Sequence, residues 1–421
     1  MAAARALRRH LDTALPGAYE LGVHDLSAHV RVRGRPLSQL ATKMYSSSVA
    51  KFSGNGYAQL YRYADRHPAA ISRLAWRLFG RETRSWLLRQ DAAVVITTHP
   101  LATQLAVTAL RDKGTAVICL VTDAGRVNRL WWEAGPDVAL VTYPDLVAQA
   151  PLGAGSPGQR TVNIGLIADP ALGGGESPAA ARRRIGLDEG FTVLLSAGGL
   201  GYGPNLRLLA QRLSRLAPRP DVRFLIATGA NEALRSSIMQ DLAPWSPVIC
   251  PKDGMTDMLL AADLVVGKAG WLTVSECVIA GRPIVVVDQV PGQEDENVKL
   301  IESLGIGRRM SVEQAADAIG RYAADPARLR GEFTVRRDLH DPQIGLRLGE
   351  IIENAVQRRS AAVVSPPDLR TLTGPTGPAD AKHQPLPQNE QTKQEEQDKQ
   401  DAPVKMSLPE VTQISGDVLP G

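Results

Sequence analysis

A strand, helix and strand in the second half of the chain constrain its fold more than any other feature. The runs at 264–266 and 284–287 are rich in β-branched residues, as buried strands are, and Trp271–Ala280 between them has the apolar spacing of a helix. Strands connected through a helix form a parallel sheet, and the right-handed crossover places the glycine turn at 267–270 at the carboxyl edge of the strands. Ligands bind at that edge, so the pattern predicts an α/β fold with a site beside the turn.

This turn and the start of the helix have the chemistry of an anion site. The free amides from Gly270 to Leu272 lie at the positive end of the helix dipole, where a diphosphate binds well. Lys268 adds a mobile positive charge beside them. We therefore expect a ligand that carries phosphate groups.

Glu276, one turn into the helix, has two interpretations. Its carboxylate can accept hydrogen bonds from the two vicinal hydroxyls of a ribose. Thr273 and Glu276 also have the spacing of a capping box, in which the glutamate only bonds a backbone amide. Spacing alone does not separate a nucleotide ligand from a helix cap.

An acidic, amide-rich turn at 291–297 follows the next strand and opens a helix that Gly305 ends. Acidic residues in a first helical turn commonly complement the helix dipole. Gln293 and Asn297 are less easily explained in this way, because two amide side chains beside a phosphate site are suited to contacting sugar hydroxyls.

Residues 267–298, GKAGWLTVSECVIAGRPIVVVDQVPGQEDENV, resemble the sugar-donor segment of the monogalactosyldiacylglycerol synthase and diacylglycerol glucosyltransferase family. This is glycosyltransferase family 28, which is related to the peptidoglycan N-acetylglucosaminyltransferase. The resemblance implies that Glu276 holds the ribose of a UDP-sugar and that the amides from Gly270 to Thr273 bind its diphosphate. It thereby favours Glu276 as a ligand over a cap. It also implies that three side chains contact the transferred sugar: Gln293, Glu294 and Asn297.

A second glycine-rich loop, at 198–204, follows a predicted strand at 191–197. On its own such a loop is a weak signal. It resembles the glycine-rich loop of the same family in its relation to the sugar-donor segment. The resemblance implies that Gly199 approaches the diphosphate or the sugar.

Two predicted strands in the first half of the chain, 92–98 and 116–121, end in segments that resemble the family's "THPL" and "VTD" strand ends. In the family these ends face the cleft between two domains. His99 and Asp123 would then lie where acceptor chemistry occurs, and they are the candidate catalytic groups. Asn128 and Glu133 stand where histidines are expected from the family, which is a departure from its pattern.

The beginning of the chain resembles the stretch that, in the family, follows a first strand and a glycine-rich loop ending in Gly-His. The histidine of that loop is the family's candidate base, and it has no matching position here. Because the first strand of a doubly wound sheet lies in its middle, its loss would leave two unpaired inner edges. We therefore expect the natural start to lie further upstream, and we predict the second strand at 18–26.

Residues 31–89 contain 12 lysines and arginines against two acidic residues, whereas the whole chain has a net charge of +4. Interleaved aromatic and aliphatic residues suit nucleic acid or an anionic membrane surface, and a solvated face over an ordinary core is the alternative. The bulky aliphatic residues favour lipid, and no nucleic-acid module accompanies the segment, so no nucleic-acid partner is expected. The predicted membrane contacts follow helical spacing: Arg73, Arg77, Arg81, Arg84 and Trp76.

The resemblance implies a GT-B type fold, in which two Rossmann-like, doubly wound α/β domains face a cleft. We place the acceptor and membrane-associating domain at 1–165 and the UDP-sugar-binding domain at 166–358, with a surface loop at 152–159. The last helices, 311–324 and 345–358, are expected to cross back onto the first domain. Residues 359–421 are expected to be disordered, because their composition cannot bury enough apolar surface to offset chain entropy.

These observations predict an inverting hexosyltransferase of glycolipid synthesis that uses a UDP-sugar, a diacylglycerol-type lipid, and no cofactor or metal. Cys119, Cys250 and Cys277 lack the spacing of metal ligands and are typical of a reduced, cytoplasmic protein. No apolar run approaches the roughly 20 residues that cross a bilayer, so attachment to the inner face of the membrane would be peripheral. Two alternatives stay open: a transferase with a polyisoprenyl-linked acceptor, and a non-catalytic UDP-sugar-binding paralogue, which a genuine lack of the Gly-His loop would favour.

Overall fold

The computed structural model describes residues 2–32, 35–36, 55–150, 160–251 and 254–364. The strands are β1 (Arg31–Val32), β2 (Arg35–Pro36), β3 (Val94–Thr97), β4 (Ala116–Leu120), β5 (Val138–Val141), β6 (Arg160–Asn163), β7 (Phe191–Ser196), β8 (Val222–Ala227), β9 (Val248–Ile249), β10 (Leu264–Lys268), β11 (Ile284–Asp288) and β12 (Gly307–Arg309).

The α-helices are α1 (Ala2–Ala14), α2 (Leu26–His29), α3 (Asn55–Arg66), α4 (Pro68–Gln90), α5 (Pro100–Leu110), α6 (Leu130–Glu133), α7 (Asp145–Gln149), α8 (Pro178–Arg184), α9 (Pro204–Leu213), α10 (Glu232–Asp241), α11 (Met255–Ala261), α12 (Trp271–Ala280), α13 (Asp295–Ser303), α14 (Val312–Ala324), α15 (Pro326–Glu332) and α16 (Ile344–Val364). Short 3-10 helices lie at Pro170–Gly174, Ala243–Trp245 and Arg337–Leu339.

The first domain is built on a parallel sheet with the strand order β3-β4-β5-β6. Every residue of β4 and β5 is buried, because helices cover both faces of these inner strands. Three of the four residues of β3 are only half-buried, and β3 forms an edge of the sheet within the described part of the chain.

The second domain is built on a larger parallel sheet with the order β12-β11-β10-β7-β8-β9. One apolar cluster packs α9 and α14 on one face of this sheet, and another packs α11 and α12 on the other. Two parallel α/β sheets with helices on both faces confirm the predicted fold class, and the strand–helix–strand unit lies where the β-branched runs indicated.

Several contacts join the domains on the side where strands end. Ala124, after β4, donates its backbone N–H to the Asn297 side chain at 3.3 Å, and the Trp271 Nε1 donates to the Thr142 hydroxyl at 2.9 Å. Gly292 adopts a φ of +85°, and a Cβ there would lie 3.3 Å from the Cα of Ala58 on α3. The carboxyl edges of the two sheets therefore meet at a shared cleft.

The last helix crosses back onto the first domain, as predicted. Ile344 and Leu348 of α16 are buried in the same apolar cluster as Leu7 and Leu11 of α1. The prediction was wrong for α14, which packs against the second-domain sheet through Ile319 and its neighbours.

Other differences concern boundaries. Residues 19–25 have no regular structure and lead into α2, so the second strand predicted at 18–26 was wrong. The final helix continues to Val364, beyond the predicted domain limit at 358. The loop at 152–159 and residues 365–421 of the predicted tail lie outside the described residues. None of the helices that the structure describes is long and apolar enough to cross a membrane.

Candidate active site

Helix α12 presents uncapped backbone amides to the cleft. Its N-cap is Gly270, with φ −67° and ψ 124°, and no side chain in the described part of the chain caps this end of the helix. Thr273 is the third residue of the helix and Glu276 the sixth, so the two cannot form a capping box, which needs threonine at the N-cap. The Leu272 side chain packs against the core of the first domain, which leaves its amide as the group available to a ligand.

Glu276 is a half-buried carboxylate that lacks a protein partner. Within the described residues, its side chain makes neither a hydrogen bond nor an ion pair. Burial raises its pKa to about 7, because the charged form loses solvation without gaining a compensating contact. Such a group costs stability unless something else binds to it, which is typical of a ligand-binding residue.

Lys268 lies between the two glycine-rich turns. Its ammonium pairs with the Glu294 carboxylate, and a Cβ on Gly270 would lie 3.2 Å from its Nζ. A Cβ on Gly198, which has a φ of +67°, would lie 3.2 Å from the lysine Cε. The lysine is therefore held where an anion bound to the α12 amides would meet it.

Glu294 has a different role from the predicted sugar contact. It is 3% exposed, and both of its carboxylate oxygens are occupied: Oε1 by Lys268 and Oε2 by the backbone N–H of Val290 at 2.8 Å. A carboxylate that is this deeply buried and bonded through both oxygens orients its lysine partner and offers almost no accessible surface to sugar hydroxyls.

Asn297 also differs from its predicted role. It is fully buried, with its oxygen accepting from the Ala124 N–H at 3.3 Å and its amide donating to the Ala269 carbonyl at 3.0 Å. It thus joins the first domain to the turn after β10 and does not face the cleft as a sugar ligand.

Gln293 is half-buried and lies at the contact between the domains. Its amide donates to Asp123 Oδ1 at 3.4 Å, and Asp123 Oδ2 accepts from the Trp131 indole at 3.2 Å. Burial raises the pKa of Asp123, while the hydrogen bonds from Trp131 and Gln293 oppose this shift. A carboxylate with a raised pKa is a stronger base, and the structure brings it next to the sugar-donor segment.

His99, the other candidate catalytic group, is an exposed helix cap. Its Nδ1 accepts a hydrogen bond from the Leu101 N–H at 3.3 Å at the start of α5. Asn128 is buried, and its side-chain oxygen accepts from the Leu130 N–H at 2.9 Å, whereas Glu133 is exposed. Of these residues, the contacts favour Asp123 as the catalytic group.

The glycine-rich loop at 198–203 reaches the same site. Gly199 is exposed, and its carbonyl accepts from the Ala230 N–H at 3.1 Å. The helix after the loop, α9, has its first amides bonded to the buried carboxylate of Asp288 at 3.1 and 3.0 Å. Its N-terminus is therefore closed to anions, in contrast to that of α12. Sequence reasoning missed Asp288, which looked like the end of a strand.

The basic helix α4 has an exposed face with both charges and apolar side chains. Arg73, Arg77 and Arg81 are exposed, and Leu74 and Leu78 on the same face are 53% and 59% exposed. We call these five residues the α4 surface.

Two predicted membrane contacts do not belong to the α4 surface. Arg84 forms two hydrogen bonds to the Asp112 carboxylate at 3.1 and 3.0 Å and another to the Ala109 carbonyl. Trp76 is half-buried against the apolar cluster beneath the helix. The prediction was therefore wrong for these two residues.

Comparison with protein families finds two matches along the chain. Residues 1–166 match the family described as monogalactosyldiacylglycerol (MGDG) synthase, and residues 204–318 match the glycosyltransferase family 28 C-terminal domain. The two matches fall on the two sheet domains.

Similar proteins include a probable monogalactosyldiacylglycerol synthase from Glycine max, which is 29% identical over 54% of this chain and 45% of its own length. This chain therefore spans less than half of that relative. A second probable synthase, from Oryza sativa subsp. japonica, is 24% identical over 81% of this chain and 78% of its own length. A processive diacylglycerol beta-glucosyltransferase from Staphylococcus carnosus is 22% identical over 68% and 71% of the two chains.

Solved structures with some similarity include MurG from Acinetobacter baumannii, with a TM-score of 0.44 and 17% identity over 66% of this chain and 79% of that one. Another is the UDP complex of MnaA from S. aureus, with a TM-score of 0.49 and 11% identity over 66% and 78% of the two chains.

Proposed function

Because this chain belongs to glycosyltransferase family 28, we propose that it transfers a hexose from a UDP-sugar to the hydroxyl of a diacylglycerol-type lipid. One observation carries the proposal: the uncapped start of α12 lies one turn from the partnerless carboxylate of Glu276. The pair matches a diphosphate followed by a ribose, the two parts that every UDP-sugar has. The names of the relatives from soybean and Staphylococcus carnosus support the lipid acceptor.

The proposed reaction is a single displacement. The lipid hydroxyl attacks the anomeric carbon as its proton passes to Asp123, and the bond between that carbon and the β-phosphate oxygen breaks. The electron pair leaves with UDP, whose new charge is stabilised by Lys268 and the α12 amides. Attack from the face opposite the leaving group inverts the anomeric configuration, and none of these steps requires a metal.

The direct test is incubation with separately labelled UDP-glucose and UDP-galactose and a diacylglycerol acceptor. Labelled glycolipid from one of these sugars is expected. If a membrane extract is used and label is found only in a polyisoprenyl lipid, the acceptor is a polyisoprenyl-linked lipid and not a diacylglycerol. UDP binding with no labelled lipid from any acceptor would identify a non-catalytic binding protein.

Gln293 supplies a test of the sugar contact. Gln293→Ala is expected to reduce kcat/KM with the UDP-sugar by about tenfold, the loss of one or two hydrogen bonds, while UDP binding changes less than about twofold. UDP lacks the sugar hydroxyls that Gln293 would contact. Equal losses for UDP and UDP-sugar, measured by calorimetry and initial rates, would assign Gln293 to the nucleotide or to the fold.

We further propose that the α4 surface binds the inner face of an anionic membrane. Each basic residue near such a surface contributes roughly 1 kcal/mol, and the two exposed leucines can insert to headgroup depth. Replacing Arg73, Arg77 and Arg81 with glutamine is therefore expected to weaken binding to vesicles that contain anionic lipid by about a hundredfold, while UDP binding persists. Co-sedimentation at low and high salt measures the effect.

Arg84→Gln is the matched control for this experiment. It removes one charge from the same helix, but the contacts that it loses are intramolecular, an ion pair with Asp112 and a hydrogen bond to the Ala109 carbonyl. The control is expected to lower the melting temperature and to retain vesicle binding. If the triple variant sediments like the wild type, or if lipid charge has no effect, the α4 surface is an ordinary solvated face.

A further inference from the structure

Asp288 joins the two loops that border the proposed diphosphate site. It ends β11 and is 4% exposed. Its carboxylate accepts from the backbone N–H groups of Asn205 at 3.1 Å and Leu206 at 3.0 Å, and its carbonyl accepts from the Ala269 N–H at 3.1 Å. The first two bonds hold the helix after the glycine-rich loop, and the third holds the turn before α12.

The start of α9 depends on this remote carboxylate. Its N-cap is Gly203, which has no side chain to accept from the first amides of the helix. Asn205 strengthens the same joint, because its side-chain amide donates to the Val287 carbonyl at 2.7 Å. An anion at a helix N-terminus is favourable for both the hydrogen bonds and the dipole. The loop at 198–203 is thus fixed to β11 at its C-terminal end.

The position of this loop matters to the site because the loop touches Lys268. Gly198 packs so closely on the lysine that a Cβ would lie 3.2 Å from Cε, as noted above. Lys268 in turn lies beside Gly270. A movement of α9 toward or away from β11 would therefore change the space around an anion at Lys268.

We propose that Asp288 is a positioning residue that holds the glycine-rich loop against the β-phosphate of the sugar donor. This inference rests on the proposed function, since it takes a UDP-sugar as the ligand. Asp288 acts through the loop and not through a contact with the nucleotide, because its side chain is buried and both of its carboxylate oxygens face the amides of α9.

The electrostatic surroundings agree with this role. Burial raises the pKa of Asp288 to about 6, the hydrogen bonds from Asn205 and Leu206 oppose the rise, Glu294 adds to it and Lys268 lowers it. The carboxylate is therefore mainly ionised at pH 7.5, where it can accept both hydrogen bonds with full charge.

The test is Asp288→Asn, with binding of UDP and of uridine monophosphate measured by calorimetry at pH 7.5. Uridine monophosphate lacks the β-phosphate, so it separates a displaced loop from a generally damaged domain. We expect UDP binding to weaken at least tenfold and uridine monophosphate binding to change less than twofold. Asn205→Ala removes only the side-chain hydrogen bond to the Val287 carbonyl. It should also weaken UDP binding more than uridine monophosphate binding, to a smaller extent, and it provides the test if Asp288→Asn does not fold.

Asp325→Asn is the matched control, because Asp325 likewise caps a helix by accepting from two backbone amides, those of Ala327 at 3.1 Å and Arg328 at 3.4 Å. Asp325 lies between α14 and α15, outside the loops that border the proposed diphosphate site. Loss of its carboxylate should therefore change only the melting temperature. The inference is overturned if Asp288→Asn binds UDP like the wild type, or if it loses both nucleotides equally. A wild-type protein that binds no UDP would overturn the proposed function instead.

Discussion

Glu276→Ala is expected to weaken UDP binding by at least tenfold. A hydrogen bond to a charged group contributes roughly 1.5–3 kcal/mol, and each 1.4 kcal/mol corresponds to tenfold in affinity. The side chain has no polar partner in the described structure, so its removal takes no hydrogen bond or ion pair away from the fold. Calorimetry with UDP measures the loss, and circular dichroism checks that the variant is folded.

The same residue predicts a dependence on pH. The folded-state pKa of Glu276 is about 7, above the ordinary value of 4.5 for a glutamate, so folding favours the protonated form. This contribution to stability is present below pH 4.5 and is lost as pH rises through 7. Glu276→Gln keeps the neutral form at all pH values, and it should melt at a higher temperature than the wild type at pH 8 and at a similar temperature near pH 4.

Binding should show the opposite trend in the wild type. Ribose hydroxyls donate to the ionised carboxylate, so UDP affinity is expected to fall as pH drops below 7, and this fall should be smaller in Glu276→Gln. Glu350→Gln, a change at an exposed glutamate of α16, is the control and should alter neither profile. A variant at 276 that melts earlier but binds UDP normally would show that the carboxylate is structural after all.

Lys268→Met is expected to lower both stability and affinity. Removing one partner of a buried ion pair costs about 3–5 kcal/mol, because Glu294 would be left charged and 3% exposed. A loss of this size should lower the Tm by about 6 °C or more in a domain of this length. UDP binding should also weaken by about tenfold or more, since the diphosphate loses its charged partner.

A double variant separates the two effects. In Lys268→Met with Glu294→Gln, the unpaired charge is removed as well, so the Tm should recover most of its loss. UDP affinity should stay low, because the cation is still absent. Recovery of affinity together with Tm would mean that Lys268 supports only the fold, and an unchanged affinity in the single variant would exclude it from the diphosphate site.

Local pattern was enough to predict the architecture around the site. The helix Trp271–Ala280 has the predicted bounds, because glycines lie at both ends and apolar residues recur with helical spacing between them. The flanking strands β10 and β11 were predicted to within two residues, since continuous β-branched runs are typical of buried parallel strands. The strand at 18–26 was wrong because its alternation is short and a local turn at Asp25, which caps α2, competes with it.

Glu276 shows how far the sequence reaches within the site. Its spacing in the sequence was compatible with two roles, a ribose ligand and the acid of a capping box. The structure separates these roles, because the helix begins at Trp271, three residues before a capping box would require. Arg84 shows the limit on a surface. It has the same helical spacing as Arg77 and Arg81, yet its guanidinium is bonded to the Asp112 carboxylate in the turn after α5.

The sequence by itself determined the strand–helix–strand unit of the second domain and where backbone amides with a nearby lysine could bind an anion, because these properties arise from neighbours along the chain. Only the tertiary structure decided which polar groups remain free for a ligand. Asn297 is bonded to a residue 173 positions away and Asp288 to one 83 positions away, while Glu276 is left without a partner among the described residues. Whether a buried carboxylate or amide already has hydrogen-bond partners depends on residues that come together only in the folded chain, so a local sequence pattern does not predict it.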